Sequence, residues 1–264
     1  MFKFLRILVL AFLLVNVALS AWLTRARTTD WNEPLAVVIH VLNGDGSTVS
    51  QEYIDTLKAM DREALDAHFE DIEAFFSREA ARHSLSLSAP VDVTFAGQID
   101  SLPPLPPSQG SALSIGLWSL KLRYWASRNN DYPYHQDVQM YVQYFDPARS
   151  PALPHSLGLQ KGMIGIVNAF ATKSMKAQNH VVVAHELLHT LGATDKYDPS
   201  SNQPLFPDGY AEPDKEPRYP QRQAEIMAGR LATSENAFEA PRGLKQVVVG
   251  DATAREIKWD GSTR

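Results

Sequence analysis

The residues of this chain best suited to chemistry are His185-Glu186-Leu187-Leu188-His189. On a helix, His185 and His189 stand four apart and share one face, about 6 Å apart along the axis. Two imidazoles so placed can close on one metal ion, and Glu186 beside them can take a proton from water activated there. Val183, Leu187 and Leu191 point away and can bury the helix in a core. Gly192 follows His189 after two residues, and Asp195 follows Gly192 after two more. Glycine permits the left-handed conformation that ends a helix sharply, so the chain can turn back and offer Asp195 to the same ion. The chain has no cysteine, so a metal must be held by His, Asp or Glu.

Such a helix needs a rigid frame. Leu35 to Leu42 is a β-branched apolar run that reads as a buried strand, closed by the turn signal Asn43-Gly44-Asp45-Gly46. Ser50 to about Arg82 carries apolar residues at helical spacing, as one long helix or two shorter ones, with Thr48 and Gln51 placed to cap its start. Strands are expected over Val91 to Ile99, Val138 to Phe145 and Gly162 to Phe170. Ser111 to Ser127 fits both periodicities; a helix suits a crossover between strands. Leu102 to Gly110 and Pro147 to Pro154 read as proline-rich loops, and Thr28 to Pro34 as a polar linker. Asn179 is placed to cap the active helix, and His180 reads as a surface residue. Asp195 to Gln223 is a long polar loop, followed by a short strand over Gln246 to Val249 and a helix over Ala252 to Lys258. This order predicts a three-layer α/β domain with a mixed sheet.

His-Glu-x-x-His-x-x-Gly-x-x-Asp resembles the zinc-binding motif of the metzincin metallopeptidases, in the variant with aspartate as third ligand that snapalysin-type peptidases share. The specific likeness covers about His185 to Gly229. It implies a mostly parallel mixed sheet, an active-site helix and an irregular C-terminal subdomain. It also implies a zinc-dependent endopeptidase acting on peptide or protein substrates, with Glu186 as general base and His185, His189 and Asp195 on the metal. The family carries a downstream turn with a methionine under the metal; Glu225-Ile226-Met227-Ala228-Gly229 makes Met227 the candidate. By the same likeness, Gly162 to Phe170 is the edge strand that pairs with an extended substrate.

Two departures stand out. Asp195 replaces the usual histidine, which lowers the charge of the loaded site and acidifies water slightly less. No tyrosine lies just after Met227, leaving Tyr197, Tyr210 and Tyr219 as candidates to stabilise an oxyanion. Alternative third ligands are Glu212, Glu216 or Glu225, as in gluzincins, and Gly192-Ala193-Thr194-Asp195 also resembles the aspzincin pattern. A zinc-stabilised surface binding domain is the non-catalytic alternative, against which Glu186 counts, since a structural site needs no base. The same chemistry could also serve a non-peptide amide. Asp195, Asp198, Asp208 and Asp214 follow no calcium-loop spacing and read as a solvated acidic loop.

At 264 residues the chain is long enough for one full domain, or for one large domain with an N-terminal segment. The net charge of -5 and the lack of a basic stretch argue against nucleic acid as a partner. Lys3 and Arg6 precede an apolar run from Ile7 to Leu23, which reads as a secretory signal or a signal anchor. Ala18-Leu19-Ser20 offers a cleavage site, yet the run approaches the ~20 residues that span a bilayer. Export is expected, with residues 7–23 retained as an anchor or removed. The expected division is 1–27 signal peptide or anchor, 28–178 sheet and helices of the catalytic domain, and 179–264 active helix and C-terminal subdomain.

Overall fold

A computed structural model describes residues 30–107 and 111–259. The apolar run from Ile7 to Leu23 and its cleavage site lie outside these residues. Among the described residues, no helix is long and apolar enough to cross a membrane.

The architecture is mixed α/β around a five-stranded, mostly parallel sheet. Strands β1 (Leu35–Asn43), β2 (Val91–Gln98), β3 (Val138–Phe145), β4 (Leu157–Leu159) and β5 (Ile164–Phe170) stand in the order β2-β1-β3-β5-β4. All neighbours are parallel except β4, which runs antiparallel to β5 and pairs Gly158 with Gly165. The central strands are rich in β-branched residues because a parallel sheet is covered on both faces.

Sequence and structure part company at several helix ends. Of the two expected alternatives for Ser50 to Arg82, the structure has the two shorter helices, α1 (Thr48–Lys58) and α2 (Arg62–Arg82). Ser47, not Thr48 with Gln51, caps α1, its hydroxyl accepting from the Ser50 N–H at 3.1 Å. Asp61 does the same for α2 through the Ala64 N–H, so the break comes from a competing cap that restarts the helix. The ambiguous stretch folds as α3 (Ala112–Asn129). Helix α4 (Lys176–Leu191), which carries His185 and His189, begins ahead of Asn179, whose side chain instead clamps both backbone groups of Phe170 at the end of β5.

Helices α1, α2 and α4 share one core with the sheet residues Val37, Ile39, Val41, Met140, Val142 and Val167. Leu122 and Ala126 of α3 meet Leu42, Tyr141, Ile164 and Ile166 in a second core. Alternation along the strands feeds these two faces. After α4 come the short strands β6 (Ala224–Glu225), β7 (Leu231–Ala232) and β8 (Phe238–Glu239), a 3-10 turn over Leu244–Gln246, strand β9 (Val247–Val248) and helix α5 (Asp251–Glu256). This irregular segment adds Ile226, Met227, Val247, Val249 and Trp259 to the first core. The expected linker at Thr28 to Pro34 is docked where it is described: Trp31 is buried, donates from Nε1 to the Ile257 carbonyl at 2.8 Å and meets Trp259 edge to face.

Candidate metal centre

Helix α4 buries Val183, Leu187 and Leu191 and turns His185 and His189 toward a cleft of 690 Å³. The helix stops at Gly192, at φ 107°, with its N–H on the His189 carbonyl and the Ala193 N–H on the Leu188 carbonyl. That pair of bonds is the glycine-dependent reversal that satisfies the last free carbonyls of a helix. It returns the chain so that Asp195 Oδ1 lies 3.3 Å from His185 Nε2 and 3.1 Å from His189 Nε2. One ligand atom from each of the three residues lies within 4.8 Å of the others, a group able to hold a metal ion.

The far side of each ring decides what these nitrogens carry. His185 Nδ1 sits 2.8 Å from the Ile226 carbonyl, and His189 Nδ1 2.8 Å from the Ala193 carbonyl. A carbonyl can only accept, so each Nδ1 bears the hydrogen and each neutral ring presents an Nε2 lone pair. Two lone pairs and a carboxylate oxygen then face one point, an arrangement that repels itself unless a cation or protons occupy it. The donor set of two imidazoles and one carboxylate, each ring oriented from behind by a carbonyl, fits zinc.

Glu186 is buried, and its Oε2 has no hydrogen-bond partner. Burial pushes its carboxyl up, and the charges of His185 and His189 only partly offset this. For His185, burial works against the charged form, but the Asp195 carboxylate and Glu186 outweigh it and raise the ring. Asp195 moves the other way: burial opposes its ionisation, yet when protons rather than a cation occupy the two Nε2 atoms, hydrogen bonds from both histidines hold it well below the usual carboxylate range.

Asp195 is braced on both sides. Glu256 at the end of α5 accepts from the Thr194 N–H at 2.9 Å and the Thr194 hydroxyl at 2.7 Å, and it pairs with Lys196 Nζ at 2.8 Å. The Lys196 N–H reaches the Met227 carbonyl at 3.0 Å. Met227 is fully buried in the turn between β6 and β7, and the preceding carbonyl, of Ile226, is the one that orients His185. Glu225 holds that turn by accepting from the Ala228 N–H, the Gly250 N–H and the Thr253 hydroxyl.

Several expectations are corrected here. Glu225 is buried and spent on the turn, and the Glu212 carboxylate accepts from the Arg222 N–H. Neither these two nor Glu216 lines the cleft. The edge strand is β4 rather than the stretch from Gly162 to Phe170, because the chain after Pro154 folds back to pair with β5. Gly158 makes this possible: a Cβ there would sit 2.3 Å from the Glu186 carbonyl and 2.4 Å from His189 Cβ. His180 is buried, not at the surface, with Nδ1 2.6 Å from Asp71 Oδ1 on α2. Tyr210 and Tyr219 bond each other at 3.1 Å and do not line the cleft, whereas Tyr197 does. Asp198 is engaged by the Ser200 N–H and hydroxyl.

His155 and Arg230 also line the cleft, and no spacing pattern in the sequence marks either. Glu256 was equally unmarked, since its role arises from contact with residues about 60 positions away. Comparison with known protein families and with curated proteins finds no match to this chain.

Proposed function

We propose that this chain is a zinc-dependent endopeptidase of metzincin type, exported and acting outside the cytoplasm on peptide or protein substrates. The observation that carries the reading is the convergence of both Nε2 atoms on Asp195 Oδ1 beside the buried, unpartnered carboxylate of Glu186. His185, His189 and Asp195 would hold the ion. Zinc, when bound, supplies a Lewis acid that acidifies water and polarises a carbonyl. Glu186 takes the proton from the attacking water and returns it to the leaving amine, and its raised carboxyl suits both transfers. Tyr197 is the tyrosine placed to donate to an oxyanion. Edge strand β4 lines the same cleft, so an extended peptide can pair with it while its scissile carbonyl faces Glu186.

Metal analysis and a peptide-cleavage assay test this together. About one zinc per chain is expected, kept in Glu186→Gln and lost in Asp195→Ala, with turnover abolished in both. Cleavage surviving in Glu186→Gln sinks the general-base assignment. Zinc retained in Asp195→Ala moves the third ligand elsewhere.

A further inference from the structure

Helix α3 has two apolar faces, and the sheet covers one of them. Leu122 and Ala126 are buried against the sheet, while Leu113, Leu117, Leu120 and Tyr124 are 60–73% exposed. At roughly 3.6 residues per turn these four fall within about 60° of arc, opposite the buried pair. Lys121 and Arg123 flank the stripe on either side, and Arg128 extends it. The preceding loop adds exposed Leu102 and Leu105, the latter 87% exposed. From Ser101 to Asn130 there is not one acidic residue, in a chain of net charge -5. An apolar stripe of this kind on a folded domain marks an interaction site.

We propose that this outward face of α3 lies on an anionic lipid surface, with the leucines in the acyl boundary and the basic side chains at the headgroups. Charge is the first argument: on an acidic protein the outward face of α3 carries Lys121, Arg123 and Arg128, with no acidic residue between Asp100 and Asp131, so it is attracted to anionic headgroups and a second copy's identical face repels it. Placement is the second. The C-terminal end of α3 leads through exposed Tyr134 to Asp137, which pairs with Ala36 beside the chain's entry at Trp31. The apolar run ends at Leu23, and the seven residues to Asp30 reach at most about 25 Å. A chain anchored by residues 7–23 therefore keeps its entry at Asp30, beside the α3 C-terminal end, within about 25 Å of its own membrane. Tyrosines at that end, Tyr124 and Tyr134, suit the headgroup layer.

The chain has no cysteine, so one introduced cysteine gives a unique label. The full chain is reconstituted into vesicles of phosphatidylglycerol and phosphatidylcholine carrying a lipid-borne quencher, with an environment-sensitive fluorophore at Leu117→Cys. Thr56→Cys on α1, in the opposite layer, is the reference. Quenching several-fold stronger at position 117 than at 56 is expected, falling toward the reference in pure phosphatidylcholine and in Lys121→Glu/Arg128→Glu. Unchanged unfolding midpoints show that these surface variants are folded. Equal quenching at both positions overturns the proposal. So does disulfide cross-linking between copies through Leu117→Cys with no lipid quenching, which would assign the face to a second copy.

Discussion

Tyr197 lines the cleft beside Asp195 and Glu186, and its hydroxyl is pushed up by burial and by those two carboxylates. It therefore stays a proton donor across the working range. Tyr197→Phe should lower kcat by roughly a hundredfold to a thousandfold with metal content unchanged, as expected for loss of one oxyanion donor. An unchanged kcat would remove Tyr197 from the chemistry. Glu256 acts at one remove, fixing the backbone on one side of Asp195 and the Lys196 side chain on the other. Glu256→Ala should weaken zinc binding by about tenfold, the lower end for residues that orient ligands, as read by competition with a chelator. Equal affinity in both proteins would make the brace irrelevant to the metal. At this scale the cluster of His185, His189 and Asp195 was legible because helix geometry links four-residue spacing to a shared face, and Gly192 forecast the turn to Asp195. Glu256, His155 and Arg230 were not, because nothing local to their sequence positions marks contacts made across the fold.

Elements set how closely these residues approach. Strand β4 lies against α4 with Gly158 over the Glu186 carbonyl, and no side chain fits that gap. Gly158→Ala should therefore displace β4 and cost about 1–3 kcal/mol of stability by overpacking. Denaturant unfolding measures the loss, and peptide cleavage should fall further than stability alone explains, since β4 lines the cleft. Wild-type stability in this variant would mean that the strand is free to shift. The central strands were readable from their β-branched runs, and the crossover role decided α3. The three residues of β4 were not, since a run that short carries no periodicity. Its pairing with β5 is what moved the sheet edge. Asn179 shows a related limit: asparagine near a helix start suggests a cap, yet here it closes the end of β5.

Across the whole molecule, α2 and α4 meet through a buried histidine pair that the sequence offered no reason to join. His68 packs edge to face on His180, 5.3 Å between ring centres, and its Nε2 has no partner. Burial, with the charges of His180 and Lys176, pushes His68 down to about 4, and Asp71 offsets little of this. The unfolded chain binds that proton near pH 6.5, so between about 6.5 and 4 it holds more protons than the folded state. Stability from this group is therefore complete above about pH 6.5 and drains away as pH falls toward 4. Asp45 loses its contribution only lower, as pH falls from the ordinary carboxylate range through about 2: burial opposes its ionisation, but the Ser47 and Asp146 N–H groups outweigh it. His40, also lowered by burial, acts in the same direction as His68 and remains in a His68 variant. His68→Phe keeps a ring in place, gives up no hydrogen bond at Nε2 and removes one titration. Its Tm should fall less than the wild-type Tm between pH 7 and pH 4, measured on metal-free protein so that the histidine ligands do not contribute a metal-release step. Parallel Tm curves over that interval would show that the α2–α4 contact does not sense acid, and would leave His40 and the cleft residues to account for any acid loss.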